Sequence, residues 1–528
     1  MANIVVKWSQ LITPIDLTLV LILLLVMIVF HNFFRHSYYK KLKRAPRPFP
    51  LWPLLGNLPL LHKLPHQDFY NLSKTYGDIM ELKLGSIRTV IISSPRLAKE
   101  VFNTHDQAFS FRPLPTTLNS FTYGGLSSGW TYKTDDYWQR LRKMEVSQLF
   151  SPKSLNASKH VRDEEISSLI HDVFEDCKEG EPTNMRTRLF DTSMNMMTRL
   201  LFGERYFGLK LSNKKSEEFK DIILKQLAIL GIFNIGDFVP LLRPFDLQGI
   251  TSQVKKLRLK IDQFFDEMIQ DRLKQNGLND STDFLNAMLS LPKTHGFGDR
   301  LGDNTIKAIL NESMLAGTDT TATTTEWAIA ELLKHPQFAQ KAQEELDDVV
   351  GFERVVDESD IPQLKYLQAI VKETFRLHSP APLLLPHENI EAREVGGYHI
   401  PPKTLLYVNV WAIHRDSSIY ENPLEFNPER FVGSNIDLKG KDFQLLPFGS
   451  GRRVCPGLPF GLISVQMELA RFLHSFTVRL PKGESSQDMD MSEVFSLTTP
   501  KAISLHVVAT ARLPLHLYVA PQFTTCGN

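Results

Sequence analysis

The chain has few cysteines and almost no net charge. Its 528 residues include three cysteines, Cys177, Cys455 and Cys526, and 60 Lys+Arg balance 59 Asp+Glu. The cysteines lie far apart without a C-x-x-C pair, which argues against both a disulfide framework and a Cys-rich zinc site. A net charge of +1 provides no overall basic field for binding nucleic acid. With 42% hydrophobic and 23% charged residues, the composition is typical of a folded globular protein.

Long apolar runs are also scarce, and the one that stands out is near the N-terminus. Residues 17–30 form an unbroken apolar run of 14 residues, and the window 11–34 reaches the roughly 20 residues that a bilayer span needs. A cleaved signal peptide is the alternative, because its apolar region is short. Only Lys7 precedes the run, and no small-residue cleavage site follows it. We therefore predict that residues 1–34 are a retained single-pass transmembrane anchor and that the rest of the chain is cytoplasmic. The basic residues after the run are Arg35, Lys40, Lys41, Lys43 and Arg44.

A basic and proline-rich segment follows at residues 35–60. Alternating prolines in the stretch APRPFP, residues 45–50, fix φ and remove backbone donors, so the segment is predicted to be extended and stiff. It is either a plain linker or a spacer that holds the remaining domain, residues 61–528, in a fixed orientation to the membrane.

The pattern beyond residue 60 is mainly helical. Residues 79–84 and 87–92 flank a Gly-Ser turn and predict a β-hairpin. Residues 291–302 predict a polar loop between helices, and no internal repeat is evident. We predict a mainly α (α+β) fold with one large domain and a small β-rich region. Apolar periodicity predicts helices at 95–103, 136–149, 160–177, 217–230, 251–275, 303–334, 337–349 and 363–377.

The segment around Cys455 carries the strongest chemical signal. Residues 447–457 read PFGSGRRVCPG, and apolar residues recur at helical spacing immediately afterwards. Cys455 therefore precedes a helix N-terminus, where free N–H groups and the helix dipole favour a thiolate, and Arg452 and Arg453 add positive charge. The alternative is a buried structural cysteine, but such a residue does not need three glycines and two arginines around it.

This segment resembles the haem-binding signature of the cytochrome P-450 haem-thiolate monooxygenases. The matching residues are Phe448, Gly451, Arg453, Cys455 and Gly457. The resemblance implies a haem b cofactor whose iron is ligated by the Cys455 thiolate. It also makes Arg453 a partner of a haem propionate and places Phe448 beside the sulfur.

A threonine-rich stretch of the 303–334 helix supports the same family. Thr occupies six of the eight positions 318–325, after Ala316 and Gly317. β-Branched residues lower helix propensity, and threonine hydroxyls compete for backbone carbonyls and bend helices. The resemblance implies the family's distal kink, with Asp319 and Thr320 as the acid–alcohol pair that supplies protons during O2 activation.

Two further sets of residues match the family in order and spacing. Glu373, Arg376 and Arg430 correspond to its Glu-x-x-Arg pair and the arginine that joins that pair in a buried structural triad. We assign these three to the scaffold. Trp138 and Arg142 match a Trp-x-x-x-Arg motif that holds one haem propionate.

His387 occupies the position where a basic residue of the family meets the other propionate. A dinucleotide-binding fingerprint is not evident in the sequence, in agreement with an external electron donor.

The resemblance is to the plant microsomal branch of the family, and it defines the expected activity. Such enzymes insert one atom of O2 into an apolar substrate, with electrons from NADPH delivered by a separate membrane-bound flavoprotein reductase. The implied location is the endoplasmic reticulum membrane, with the catalytic domain facing the cytoplasm. We expect no obligate oligomer and no nucleic-acid partner. The candidate basic contacts for the reductase, on the Cys455 side, are Lys133, Arg140, Lys143 and Arg452.

Substrate class is the least constrained inference. Aromatic and leucine side chains suit a planar apolar ligand, and the chain is broadly similar to phenylpropanoid and flavonoid ring hydroxylases, so aromatic hydroxylation is the leading hypothesis. Fatty-acid or other aliphatic hydroxylation is the alternative substrate class. A haem-thiolate isomerase or dehydratase acting on hydroperoxides and a non-enzymatic haem sensor or carrier remain as other classes of function. The predicted pocket residues are Phe109, Phe111, Phe121, Tyr123, Ala316, Thr320, Leu383, Leu384, Leu385, Thr498 and Thr499.

Overall fold

The computed structural model describes residues 42–207, 214–274, 283–290 and 302–523. The predicted anchor at 1–34, Cys526 and nearly all of the predicted loop at 291–302 lie outside these residues. Within the described ranges, no helix combines the length and the apolar character needed to cross a bilayer.

Helices make up most of the described chain, and all eight predicted helices are present with small shifts at their ends. Predicted segments 95–103 and 136–149 each begin as an α-helix and continue as a π-helical turn, over Glu100–Thr104 and Val146–Phe150. In chain order the α-helices are α1 Pro65–Tyr76, α2 Pro95–Lys99, α3 Thr116–Phe121, α4 Asp136–Glu145, α5 Pro152–Ala157, α6 Lys159–Glu179, α7 Met185–Phe202, α8 Lys214–Leu230, α9 Ile235–Phe238, α10 Ile250–Lys274, α11 Phe284–Leu289, α12 Asp303–Lys334, α13 Pro336–Val350, α14 Lys365–Leu377, α15 Val410–Ile413 and α16 Leu458–Ser475.

Helix α7 is the longest helix that periodicity did not predict. It is buried on nearly every side, and its buried positions include polar residues such as Asn195 and Thr198. Because polar and apolar residues share its buried positions, the sequence of the helix does not mark which face is buried. Its Met197 packs against Gly317 of α12, where any side chain at the glycine would overlap the methionine sulfur.

The strands form small sheets at the edge of the helical body. The predicted hairpin is present as β1 (Ile79–Leu84) and β2 (Ile87–Ile92), and β7 (Leu405–Val408) extends it in parallel to β2. Strand β4 (His387–Glu388) pairs with β7 and so ties His387 to the main sheet. The remaining strands are β3 Thr183–Asn184, β5 Arg393–Val395, β6 Tyr398–Ile400, β8 Phe476–Arg479 and β9 His506–Ala511, which pair in the orders β3-β9-β8 and β5-β6.

The described part of the proline-rich segment is docked on the body. Glu81 of β1 is buried and binds Arg47 at 2.5 Å, and its backbone N–H donates to the Pro46 carbonyl at 2.8 Å. Asn57 Nδ2 donates to the carbonyls of Pro48 and Pro50 at 2.9 and 3.2 Å. The segment is therefore held in one direction relative to the sheet, as a spacer requires.

Glu373, Arg376 and Arg430 meet in the buried network expected of the scaffold. Arg376 on α14 forms a two-pronged ion pair with Glu373, with nitrogen–oxygen distances of 2.7 and 2.8 Å. Arg430, in a 3-10 turn over Pro428–Phe431, donates to the same carboxylate at 3.1 Å. Arg376 also donates to three backbone carbonyls, those of His414, Pro423 and Glu425. The network thus joins α14 to the long loop that leads to Cys455.

A second buried carboxyl, Glu468 on α16, predicts a pH-dependent stability. Its Oε2 accepts from Thr325 Oγ1 at 2.6 Å, and burial raises its pKa from 4.5 to about 8. The folded state keeps a proton that the unfolded state releases near pH 4.5, so this group lowers stability by roughly 1.4 kcal/mol per pH unit between those two values. We expect Glu468→Gln to raise the unfolding temperature relative to wild type at pH 7.5 and by much less at pH 5.5. Thermal loss of CO-binding absorbance measures this difference.

The matched control is Glu353→Gln, which alters an exposed carboxylate. An equal gain for Glu468→Gln at both pH values would contradict the raised pKa.

Candidate active site

One large cavity lies between α12, the loop before α4 and the segment that carries Cys455. It holds about 1930 Å³ of empty space, including part of its open mouth. Cys455, Phe448 and Gly457 line one wall, and Ala316, Gly317 and Thr320 of α12 line another. The cavity therefore brings together the two strongest sequence motifs, which lie more than a hundred residues apart.

Cys455 lies immediately before α16, as the sequence predicts. Its backbone N–H donates to the Phe448 carbonyl at 2.9 Å, which closes the glycine-rich loop. Burial raises the pKa of the thiol, whereas N–H groups of Gly457 and Leu458 and the charge of Arg142 act in the opposite direction. Burial is the larger effect, so the pKa of the thiol is raised overall, and these donors offset part of the cost of forming a thiolate at the start of the helix.

Gly451 is needed for the same loop because its φ is +69° and a side chain there would overlap Asp106 and the Phe102 carbonyl.

Three arginines converge at the side of the cavity next to Cys455. Arg453 donates to the carbonyls of Ser110 at 2.9 Å and Ser128 at 2.8 Å, and Arg142 donates to the Val454 carbonyl. Arg112, which sequence reasoning missed, donates to the Leu385 and Pro386 carbonyls at 2.9 and 2.6 Å. All three line the cavity. Burial lowers the pKa of Arg453 to about 10 and shifts Arg112 and Arg142 in the same direction.

Two buried carboxyls accompany these arginines. Glu312 of α12 accepts from the Gly129 backbone N–H at 2.9 Å, and Glu145 of α4 accepts from the Ser128 hydroxyl. Burial and the charge of Glu312 raise the pKa of Glu145 to about 8, and burial also raises that of Glu312. At neutral pH Glu145 therefore retains a proton, which leaves the cluster with net positive charge.

Of the two predicted propionate partners Trp138 and His387, only His387 lines the cavity. The Trp138 indole N–H donates to the Ser128 carbonyl at 2.8 Å, and the ring lies under the Arg453 guanidinium at 5.1 Å. Trp138 thus supports Arg453, whereas Trp130 lines the cavity. His387 does line it, and its Nδ1 is paired with the Phe109 carbonyl at 2.7 Å.

A carbonyl only accepts, so His387 carries its proton on Nδ1. Burial and the charge of Arg112 lower the pKa of His387, which keeps the ring neutral. The neutral ring can therefore meet an anionic group only after it takes up a second proton.

The threonine-rich stretch is part of one continuous helix, α12. Thr320 Oγ1 donates to the Ala316 carbonyl at 2.7 Å, and Thr324 Oγ1 donates to the Thr320 carbonyl at 2.8 Å. These bonds are the competition for backbone carbonyls that the sequence predicts. Asp319 accepts from the Thr498 hydroxyl, and burial raises the pKa of its carboxyl. The acid and the alcohol are therefore neighbours on α12, and only Thr320 lines the cavity directly.

The predicted pocket residues divide into two groups. Phe121, Ala316, Thr320, Leu384, Leu385 and Thr498 line the cavity. Leu383 instead packs in the core of the sheet with Met80 and Ile91, and Phe109 belongs to another core cluster. Phe111 packs against Tyr132, and the Tyr123 hydroxyl binds Asp262 of α10 at 2.7 Å. Leu383 and Leu384 are neighbours in sequence, but only Leu384 lines the cavity. The turn at this point, in which Leu384 has a φ of +52°, directs the two side chains to different places.

The basic residues proposed for a reductase contact are only partly available. Lys133 and Lys143 are exposed and Arg140 is half-buried. Arg452 instead binds Asp106 at 2.6 Å, so much of its charge is neutralised within the chain.

The donor set of the cavity fits a haem group. Porphyrin needs a flat apolar space, its two propionates need cations, and its iron needs one axial ligand. The cavity offers Phe448 and other apolar side chains, the guanidinium groups of Arg112, Arg142 and Arg453, and the single thiol of Cys455. A lone thiol at a helix N-terminus is suited to iron ligation, as in haem-thiolate enzymes.

Comparisons with known proteins agree with this chemistry. A flavonoid 3',5'-hydroxylase from Crocosmia x crocosmiiflora is 38% identical over 94% of this chain and 98% of its own length. A flavonoid 3'-monooxygenase from Arabidopsis thaliana is 39% identical over 96% of this chain and 98% of its own. A zebrafish cytochrome P450 solved with progesterone superposes with a TM-score of 0.71 at 26% identity, covering 85% of this chain and 99% of that one. The profile of the cytochrome P450 family matches residues 46–507.

This match spans nearly the whole described body and includes Cys455, Thr320 and the Glu373–Arg376 pair. The chain therefore belongs to the cytochrome P450 family, and it is a haem-thiolate monooxygenase.

Proposed function

We propose that this cytochrome P450 hydroxylates an aromatic ring of a phenylpropanoid or flavonoid, with electrons supplied by NADPH through a flavoprotein reductase. The observation that carries the proposal is the apolar lining of the cavity, which includes the aromatic ring of Phe121 and the side chains of Leu384 and Leu385. Such a lining suits a planar ring system. Similarity to two flavonoid hydroxylases over nearly the whole chain supports the same substrate class.

The residues around the cofactor have separable roles. The N–H groups at the start of α16 stabilise the Cys455 thiolate, and Arg112, Arg142 and Arg453 would hold the propionates. When bound through Cys455, the haem supplies the activation of O2 for insertion of one oxygen atom. Gly317 keeps α12 close to α7 because a side chain there would overlap Met197.

Proton supply is assigned to Thr320 and Asp319. The Thr320 hydroxyl donates to the Ala316 carbonyl, so its lone pairs are available to hold a water molecule in the cavity. The buried Asp319 carboxyl has a raised pKa and therefore exchanges its proton closer to neutral pH than an exposed aspartate does. The Thr498 hydroxyl that binds Asp319 also lines the cavity, which links the acid to the substrate side.

The test is turnover of the full-length enzyme with a plant reductase and NADPH. We expect a hydroxylated ring product from flavones or phenylpropanoids, with one oxygen atom from labelled O2. If only fatty acids gave a product, the enzyme would be an aliphatic hydroxylase and the proposed aromatic substrate class would be wrong. Conversion of a hydroperoxide without NADPH or reductase would indicate an isomerase or dehydratase instead.

The reductase is proposed to dock on the face that carries Lys133 and Lys143. Both side chains are exposed, and both belong to α4 or the loop before it, the elements that also carry Arg142 to the cavity. We expect Lys133→Glu with Lys143→Glu to slow reduction of the haem by about tenfold at low salt, because charge pairing across an interface raises association rates. The difference should shrink as ionic strength rises. Stopped-flow reduction at several salt concentrations measures it.

Lys274→Glu is the matched control, since Lys274 is an exposed cation on α10 and does not belong to α4 or the loop before it. Equal reduction rates in the double variant and the wild type at every salt concentration would refute this docking face.

Attachment to the endoplasmic reticulum through residues 1–34 is also proposed. The first described residues include exposed apolar side chains, among them Trp52 (52% exposed) and Leu54 (70%). The turn between β1 and β2 lies between this segment and a second segment, residues 238–245. Gly85 N–H donates to the Leu55 carbonyl at 2.9 Å, and Ser86 N–H donates to the Phe238 carbonyl at 2.7 Å. The second segment exposes Leu241 and Phe245 at 72% and 70%.

Together the two segments provide an apolar face next to the point where the anchor would leave the body. Protease added outside sealed microsomes should digest the body, whereas a protected body would contradict the cytoplasmic orientation.

A further inference from the structure

Two carboxyl groups from different helices bind the same short loop beside the cavity. Glu145 at the end of α4 accepts a hydrogen bond from the Ser128 hydroxyl, and Glu312 of α12 accepts from the Gly129 backbone N–H at 2.9 Å. Both glutamates line the cavity, and Glu145 is only 5% exposed. Because Ser128 and Gly129 are consecutive residues, the two carboxyl groups lie close to each other at one part of the cavity wall.

The loop that they bind, residues 127–131, also provides the carbonyl groups that orient two arginines. The Ser128 carbonyl accepts from Arg453 Nη1 at 2.8 Å, and the Gly129 carbonyl accepts from Arg112 Nε at 3.3 Å. Both arginines belong to the set that would hold the haem propionates. The carboxyl pair is therefore one residue away from the groups that bind the cofactor.

The charges at this wall match a haem when the pair carries one proton. The three positive charges come from Arg112, Arg142 and Arg453. Burial and the charge of Glu312 raise the pKa of Glu145 to about 8, so Glu145 is mostly protonated at neutral pH. Burial also raises the pKa of Glu312, but the Gly129 N–H and two of the arginines act in the opposite direction, so Glu312 is the ionised member. Its single negative charge leaves two positive charges, which two propionates neutralise.

The field of the pair reaches the position of the iron ligand. The charge of Glu312 acts on the Cys455 thiol and contributes to raising its pKa. Among the neighbouring groups, burial raises the pKa of Tyr137 and lowers that of His387, so both side chains stay neutral as the pH rises from 7. The Arg452 guanidinium, also near this wall, is paired with Asp106 at 2.6 Å.

We propose that Glu145 and Glu312 act as one carboxyl pair whose single negative charge, beside the propionate-binding arginines, sets the reduction potential of the bound haem. When Glu145 releases its proton at higher pH, a second negative charge appears beside the cofactor and disfavours the addition of an electron. The potential should therefore change little near neutral pH and decrease as the pH rises through the pKa of Glu145. Neither glutamate would ligate the iron, so both are positioning residues that act through charge.

The test is the reduction potential of the full-length haem protein, measured by spectroelectrochemistry between pH 6.5 and pH 9. For wild type we expect the ratio of reduced to oxidised haem, at a fixed applied potential, to decrease about tenfold over this range. This is the order of magnitude for one unit charge acting inside a protein, and it corresponds to about 59 mV for one electron. Glu145→Gln keeps a neutral side chain of the same shape. It should remove the decrease and leave the potential at pH 6.5 close to that of wild type.

Two variants that keep Glu145 should shift the decrease in opposite directions. Glu312→Gln removes the negative charge that raises the pKa of Glu145, so the decrease should occur at lower pH than in wild type. Ser128→Ala removes a hydrogen bond that lowers this pKa, so the decrease should occur at higher pH. Glu353→Gln, which alters an exposed carboxylate, is the matched control and should reproduce the wild-type profile.

A wild-type potential that stays constant from pH 6.5 to pH 9 would overturn this inference, as would an undiminished decrease in Glu145→Gln. Shifts of Glu312→Gln and Ser128→Ala in the same direction would also contradict it. The wild-type profile and these two variants remain decisive if Glu145→Gln does not retain haem. The measurement uses neither substrate nor reductase, so its outcome does not depend on the proposed substrate class.

Discussion

Replacement of Cys455 by serine is expected to abolish monooxygenase activity and to remove the absorption band near about 450 nm of the reduced CO complex. The thiolate supplies electron density for O–O cleavage, and an alcohol at this position does not. The structure adds that this sulfur lies at the N-terminus of α16, close to N–H groups of Gly457 and Leu458 and to Arg142. Serine fits the same space, so loss of activity should not be accompanied by loss of the fold.

Three measurements together check this expectation: the reduced CO difference spectrum, haem content and NADPH-dependent turnover. Any CO-reactive haem that the variant retains should absorb near about 420 nm. Cys177→Ser is the matched control, because the Cys177 thiol binds the Ala509 carbonyl at 3.1 Å in another part of the fold. A normal band near 450 nm in Cys455→Ser, or its loss in Cys177→Ser, would contradict the assignment of the iron ligand.

Replacement of Arg376 by alanine is expected to prevent recovery of folded, haem-containing protein. The substitution leaves Glu373 buried without its two-pronged partner, and it removes one donor from each of three backbone carbonyls. Removal of one partner of a buried ion pair costs about 3–5 kcal/mol, a large fraction of the typical stability of a domain. Arg376→Lys should fail for the same reason, because an ammonium group cannot reproduce the planar fork.

The appropriate control is Arg354→Ala. Arg354 also forms a two-pronged pair, with Asp360 at 2.6 and 2.9 Å, but its side chain is 48% exposed. Exposed pairs contribute roughly 0–1 kcal/mol, so this variant should retain its haem and nearly all its stability. Full haem content and an unchanged unfolding temperature in Arg376→Ala would show that the network is dispensable.

Local patterns were sufficient for the hairpin and for most of the long helices. The predicted hairpin coincides with β1 and β2, and the prediction of a helix at 303–334 matches α12 residue for residue. Helix α7 was missed because polar residues, among them Asn195 and Thr198, occupy several of its buried positions, so its sequence does not mark the buried face. Its importance becomes visible only through its contact with Gly317, a residue that the sequence alone connected with helix bending.

The three arginines that line the cavity, Arg112, Arg142 and Arg453, were likewise only partly predicted from the sequence. Arg142 and Arg453 were predicted from motifs of fixed spacing, but Arg112 lies in an apolar stretch without a motif of its own. Its contacts with the Leu385 and Pro386 carbonyls bridge 273 and 274 positions of sequence. Arg452 shows the reverse error, since a cation that appeared available for a partner is paired with Asp106, 346 residues away.

The sequence by itself indicated a reactive thiol at Cys455, from the glycines and arginines around it and the helix that follows, and the resemblance of this segment to a haem-binding signature implied the cofactor. The tertiary structure decided which side chains reach the cavity: Leu384 does and Leu383 does not, Thr320 does directly and Asp319 through Thr498. The physical reason is the range of the interactions involved. Turns, caps and thiolate stabilisation act within a few residues, whereas the shape and polarity of the cavity arise where α3, α8 and α12 meet, and no local pattern records that meeting.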